Sequence, residues 1–322
     1  MKNLKMKYLK NIIFFFLVSF SYPNEVIVFE SSNPFSLKDI IIDIEKLDTQ
    51  KVKGILQIPE SDDKNKFPLV IGVAGSIGWG EHHLEYLQMY REMGIATFQL
   101  QSFESRNEVS TVGTQNTVTT PMIILDSYRA LEKLSEHPKI DIDNVAITGW
   151  SLGGGVALFS GWKPVMDAIN SKFKFAAHLS YYPPCFAEPE IVEFTDSPMH
   201  ILIGELDEWV PAQACYDLVN LMKDNKINID IDVYKDAHHS FDRKTQLKVA
   251  ENGYKFTDCR FKLRNDGAVL MNFLNIPMTN PFLQKMGFAM CAGRNPLFGG
   301  HKESRRKSFE FSKDFMKKNL ID

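Results

Sequence analysis

Cysteine is scarce in this chain of 322 residues: there are four, and none stands in a C-x-x-C pair or at Cys/His ligand spacing. That pattern excludes the usual tetrahedral structural zinc site. Net charge is also scarce, since 37 basic residues against 40 acidic ones leave −3. Without a broad basic face, nucleic acid is not an expected partner. The short basic stretch Lys302, Arg305, Arg306 and Lys307 reads instead as the solvated start of a terminal helix. A long apolar run is missing as well: Ile12–Val18 falls well short of the roughly 20 residues a membrane span needs. Internal repeats and low-complexity linkers are absent, which excludes solenoid architectures.

What is present is an ordinary globular composition with an unusual beginning. At 44% hydrophobic and 12% aromatic residues, the chain has enough apolar side chains for a large buried core. Lys2, Lys5, Lys7 and Lys10 precede the apolar stretch, and small residues follow at Ser19 and Ser21. A positive segment, an apolar segment and a small-x-small site read as a secretory signal peptide over residues 1–21. Its removal takes away four lysines and no acids, leaving a mature charge of −7 and no stable membrane insertion. Exported proteins keep disulfides, and an even cysteine count fits them. Cys185 and Cys215 follow neighbouring predicted strands, while Cys259 and Cys291 bracket one later segment. The expected pairs are therefore Cys185–Cys215 and Cys259–Cys291, of three possible pairings.

Along the chain, short apolar segments alternate with helical ones. Val26–Phe29, Ile40–Ile44 and Val52–Ile58 read as early strands of an antiparallel edge; the near-continuous apolar run Phe67–Val73 reads as a buried parallel strand. Residues 81–93 read as helix, 95–100 as strand and 102–119 as a polar loop. Met122, Ile123, Leu125, Tyr128, Leu131 and Leu134 recur at helical spacing. Further strands are expected at Val145–Thr148, Phe175–Tyr181, His200–Gly204 and Ile229–Tyr234. This alternation predicts a doubly wound, mostly parallel sheet flanked by helices, within one catalytic domain over residues 22–322. Residues 308–320 predict a last amphipathic helix with Phe309, Phe311, Phe315, Met316 and Leu320 on its apolar face. Before it, residues 245–302 read as an ordered insertion near the active-site mouth, with an Asp266-Gly267 hairpin turn between 259 and 270.

The chemistry centres on Gly149-Trp150-Ser151-Leu152-Gly153, a G-x-S-x-G pentapeptide that directly follows a predicted strand and opens a small-residue helix. In that context it is a nucleophile elbow, and Ser151 is the expected nucleophile. A serine hydroxyl needs an adjacent base, itself oriented by an acid, and in this architecture the chain order is Ser, acid, His. His178 and His200 lie inside apolar strand runs and read as core; His301 lies at the charged start of the last helix. His238 and His239 alone sit in a loop past a strand's carboxyl end, where such sites gather. For the acid, Asp207 is preferred in the loop after 200–204, with Glu205 second and Glu208 read as a surface charge. The oxyanion hole is expected from the backbone N–H of Leu152 and of Ser76 or Ile77. His82 and His83 read as surface or pocket-lining residues, and Trp150, Trp209, Tyr181 and Tyr182 as core or as the wall of an acyl pocket.

At the elbow, at the G-x-x-D-x-x-x-P run Gly204–Pro211 and at Tyr234–Phe241, the chain resembles the dienelactone hydrolase family of the α/β-hydrolase fold. The resemblance spans about residues 65–245. The family's Tyr…Ala-x-His-x-Phe pattern assigns the base to His239 and leaves His238 as its neighbour. The chain departs from the founding members in carrying Ser151 where they carry cysteine, and Ala74-Gly75 where His-Gly is usual. The resemblance and the motifs together imply a secreted serine hydrolase that cleaves small-molecule carboxylic esters and needs no metal or organic cofactor. A peptidase or acyltransferase with the same three residues, or an inactive binding protein of the same fold, are the alternatives.

Overall fold

A computed structural model of the chain describes residues 24–60 and 65–322; the expected signal peptide lies outside the described residues. In chain order the first strands are β1 (Asn24–Ser32), β2 (Thr49–Gln57), β3 (Phe67–Val73), β4 (Ala96–Leu100), β5 (Ile140–Trp150) and β6 (Ala177–Tyr181). A short strand β7 (Ala187–Pro189) is followed by β8 (Met199–Gly204) and β9 (Ile229–Tyr234). All but β7 join one eight-stranded sheet, ordered β1-β2-β4-β3-β5-β6-β8-β9. Pairing is antiparallel from β1 to β2 and from β2 to β4, and parallel from β4 through to β9.

The helices are α1 (Leu37–Asp43), α2 (Glu81–Glu92), α3 (Thr120–Leu134), α4 (Leu152–Phe159), α5 (Lys163–Ile169), α6 (Ala212–Asp224), α7 (Pro281–Ala289) and α8 (Lys302–Leu320). Side chains alternate across a strand, so β6 shows which helices cover which face. His178 Nδ1 lies 2.8 Å from the Ala157 carbonyl oxygen of α4. Tyr181, on the opposite face, packs 5.0 Å from the ring of Tyr86 on α2, and Tyr86 stacks 3.7 Å from Phe309 on α8. Helices therefore cover both faces, which is why all seven residues of β3 and all five of β6 are buried.

Two expectations change at the helices. Ile40–Ile44, read as a strand, lies in α1 and the 3₁₀ turn after it. The Asp39 carboxylate accepts the Ser36 N–H at 2.9 Å, and Leu37 and Ile40 bury one face at a spacing of three. Local capping and the i, i+3 pair outweigh the β-branched run. In α8, the buried stripe is Ser304, Ser308, Ser312, Met316 and Leu320; of the expected apolar face Met316 and Leu320 belong to it, while Phe309, Phe311 and Phe315 only flank it. Small serines let α8 approach α2 closely, and Ser308 and Ser312 satisfy the buried hydroxyls of Tyr86 and Tyr90.

Residues 245–302 add short ladders: β10 (Lys248–Val249), β11 (Tyr254–Lys255), β12 (Phe261–Leu263), β13 (Val269–Leu270), β14 (Gly293–Arg294) and β15 (Leu297–Phe298). β10 pairs with β15 and β11 with β14, while β12 pairs antiparallel with β13 and parallel with β7. The β12–β13 turn runs through Asp266-Gly267, where Gly267 takes a φ of +85°. A separate apolar cluster forms here around Tyr254, Phe256, Phe261, Met271, Met278 and Phe288. All four cysteines are paired, as Cys185–Cys215 and Cys259–Cys291. Among the described residues, no helix is long and apolar enough to cross a membrane.

Candidate active site

The elbow is a steric construction. Strand β5 ends at Trp150, and Ser151 turns the chain into α4 with φ 57° and ψ −116°, outside the regions an L-residue ordinarily visits. That strain is held by packing, since the Ser151 N–H donates to the Tyr181 carbonyl at 2.9 Å. A Cβ on Gly149 would stand 2.0 Å from the Gly153 carbonyl oxygen, and one on Gly153 2.2 Å from that of Val73. Only glycine fits at either place.

Two loops bring the remaining groups to this turn. After β8, the Asp207 side chain is buried, and its Oδ1 accepts the N–H groups of Trp209 and Val210, both at 2.9 Å. After β9, His239 is buried with its ring between Tyr182, 4.7 Å away, and Trp209, 4.9 Å away. The two loops are tied directly, because the Leu206 N–H donates to the Ala237 carbonyl at 2.9 Å. The segment after β15 adds another tie, the Gly299 N–H donating to the His239 carbonyl at 2.9 Å. His239 Nδ1 then lies 2.7 Å from Asp207 Oδ2, and Nε2 lies 2.9 Å from Ser151 Oγ. A hydroxyl, an imidazole and a carboxylate are thus joined in one hydrogen-bonded line.

The structure separates the alternatives that the sequence left open. Glu205 is exposed and accepts the Asp236 N–H, and Glu208 pairs with Lys255 at 2.6 Å. Neither reaches the imidazole. Leu152 begins α4, so its N–H is one of the first-turn donors without an intrahelical partner. Ser76 and Ile77 both line the recess that holds Ser151 and His239. His178 is a buried core residue, whereas His200 is only partly buried and pairs with Asp232 at 3.0 Å.

Some of the surroundings were not foreseen. Of the two places expected for His82 and His83, surface or pocket lining, burial excludes the first. His83 stacks 4.5 Å from Trp150 and lines the Ser151 recess, and burial pushes both imidazoles well below the usual histidine range. Behind His239, the Tyr182 hydroxyl donates to the fully buried Asp242 at 2.9 Å, and burial raises that carboxyl to about 6. Trp209 lines the large cavity, Trp150 and Tyr182 line the smaller recess, and Tyr181 is core.

Ser151 opens on a cavity whose empty space, open solvent at the mouth included, is about 1160 Å³. Its walls come from α4, the segments around α1, α3 and β7, and the 245–302 region. Phe256, Phe261 and Phe288 belong to the last of these. Sequence reasoning singled out none of them, because no local pattern distinguishes a phenylalanine facing a cavity from one facing the core. Among the described residues, no group of three His, Cys, Asp or Glu side chains is placed to hold a metal ion.

The family model for dienelactone hydrolases matches residues 88–256, more than half of the chain. No curated protein matches the sequence. A dienelactone hydrolase-like promiscuous phosphotriesterase from metagenomic libraries is similar in structure, with a TM-score of 0.58 at 12% identity, over 92% of this chain and 99% of that one. A dienelactone hydrolase candidate from Klebsiella pneumoniae aligns with a TM-score of 0.50 at 17% identity, over 68% of this chain and 89% of that one.

Proposed function

The chain belongs to the dienelactone hydrolase family, with the α/β-hydrolase fold, and on that premise we propose that it hydrolyses carboxylic esters through an acyl-enzyme on Ser151. The observation that carries this reading is the line from Ser151 Oγ to His239 Nε2 and from His239 Nδ1 to Asp207 Oδ2, at 2.9 and 2.7 Å, at the mouth of a cavity. His239 takes the hydroxyl proton as Ser151 attacks the ester carbonyl, then returns it to the departing alcohol. Asp207 keeps the Nδ1–H tautomer and stabilises the imidazolium. The oxyanion meets the N–H of Leu152 and one from Ser76 or Ile77. Water, activated by the same imidazole, then releases the acid.

The same reading makes residues 22–322 one catalytic domain of an exported protein, with residues 1–21 as its signal peptide. The two disulfides support an oxidising compartment. The test is fluorophosphonate labelling beside hydrolysis of p-nitrophenyl esters. Label on Ser151, and its loss in Ser151→Ala together with hydrolysis, is the expected result. Faster turnover of aminoacyl amides than of esters would make the protein a peptidase, and folded protein that neither labels nor turns over would make it a binding protein.

A further inference from the structure

The large cavity carries information about the substrate that the three reacting residues do not. Among the described residues, not one of the side chains lining it is Asp, Glu, Lys, Arg or His. Six are phenylalanines: Phe35, Phe159, Phe186, Phe256, Phe261 and Phe288. Four of these form a continuous wall, with Phe186 4.7 Å from Phe256 and 5.8 Å from Phe261, and Phe288 5.0 Å from Phe256 and 6.0 Å from Phe261. An ionised group moved from water into such a space loses its hydration and finds no opposite charge there. A hydrocarbon group moved there gains on every methylene.

The wall is also fixed. Cys185 directly precedes Phe186 and is bonded to Cys215 on α6. Cys259, between Phe256 and Phe261, is bonded to Cys291, just past the α7 helix that carries Phe288. Each disulfide thus anchors the backbone beside wall phenylalanines. Ser151 and Leu152 line the same cavity, which places the reacting hydroxyl at its edge.

We infer that the substrate is an ester bearing one large, uncharged hydrocarbon group, which enters this cavity while the ester carbonyl stays at Ser151. The inference rests on the hydrolase reading above. It assigns Phe186, Phe256, Phe261 and Phe288 as specificity-determining residues, and excludes substrates whose buried end is ionised.

The test uses the mature protein with two ester series. In one, the acyl group of p-nitrophenyl esters runs from acetate through butyrate and hexanoate to octanoate. In the other, acetate esters carry alcohols of the same increasing lengths. The expected result is that kcat/KM rises by up to about fourfold per added methylene in one series, which identifies the group that enters. A terminal carboxylate on the longest favoured chain is expected to lower kcat/KM by roughly a hundredfold or more. The half-buried rim positions Phe35 and Gln284 supply a second reading. In Phe35→Asp and Gln284→Glu the ratio of octanoate to acetate turnover falls at least about tenfold. Flat profiles in both series, or tolerance of the terminal carboxylate, with Ser151 still labelled by fluorophosphonate, overturn the inference and leave the hydrolase reading standing. Absence of both labelling and turnover overturns the hydrolase reading and the inference with it.

Discussion

The sheet-borne side of the site and the 245–302 side are held by different forces. Ser151, Asp207 and His239 sit on loops at the ends of long, buried parallel strands, and their positions follow from backbone geometry. A strained serine turn, two glycines that exclude any Cβ and a carboxylate held by two N–H groups leave these atoms little freedom. The cavity wall opposite has ladders only two or three residues long. Ladders of that length are not stable alone. Their order comes from an aromatic cluster and the Cys259–Cys291 bond. Groups that must be placed to within a fraction of an ångström to react are held by the sheet, whereas a wall that needs only volume and polarity is held by packing and a covalent staple.

The largest expected effect tests the sheet side. Ser151→Ala lowers ester kcat/KM by roughly 10⁴- to 10⁶-fold, and Asp207→Asn by about 10⁴-fold, with unfolding midpoints close to wild type. Steady-state kinetics beside urea unfolding checks this. An Asp207→Asn variant that kept full activity would mean that Asp207 only shapes the loop.

A smaller effect tests the stapled side. Replacing Cys259 and Cys291 together by serine removes a cross-link across 32 residues and lowers stability by about 3 kcal/mol. Hydrogen exchange should quicken across 254–291 while β3, β5 and β8 keep their protection. Equal loosening of the central sheet would mean that both sides of the site are held by the same forces.

The smallest effect lies at the seam, where Asp242 sits between Tyr182 and His82, its Oδ1 3.9 Å from His82 Nε2. Burial raises its folded-state value from 3.8 to about 6, so between those values the folded protein holds a proton that the unfolded chain has lost. The resulting penalty is absent below about pH 4, grows as pH rises through about 6 and is complete above it. Asp242→Asn removes the penalty while keeping an acceptor for Tyr182. It is expected to be more stable than wild type by on the order of 2–3 kcal/mol near pH 8, and equal to it near pH 4. Urea unfolding across that range decides; a constant difference at all pH values would show that Asp242 is charged throughout.

Much of the sheet was legible because buried parallel strands advertise themselves as continuous apolar runs, as Phe67–Val73 does. The hairpin turn at Asp266-Gly267 was legible for the same kind of local reason, whereas the cysteine pairs, 30 and 32 residues apart, were expected from the order of the strands and the bracketed segment. The segment at Ile40–Ile44 was misread because β-branched residues suit a strand, while the Asp39 cap that makes α1 acts through a single hydrogen bond. The serines of the inner stripe of α8 escaped because Ser308 and Ser312 are there to meet Tyr86 and Tyr90, 222 residues earlier.

By itself the sequence determined the elbow at Ser151, the order of serine, acid and histidine, and the strands that carry them. Each of these is encoded within a few neighbouring residues by sterics and periodicity. Only the tertiary structure decided that Asp207 rather than Glu205 faces the imidazole, that His239 meets Ser151 across 88 residues, and that six separated phenylalanines share one cavity. Those facts are distances between segments remote in the chain, and such distances exist only once the chain has folded and its loops have been brought to one edge of the sheet.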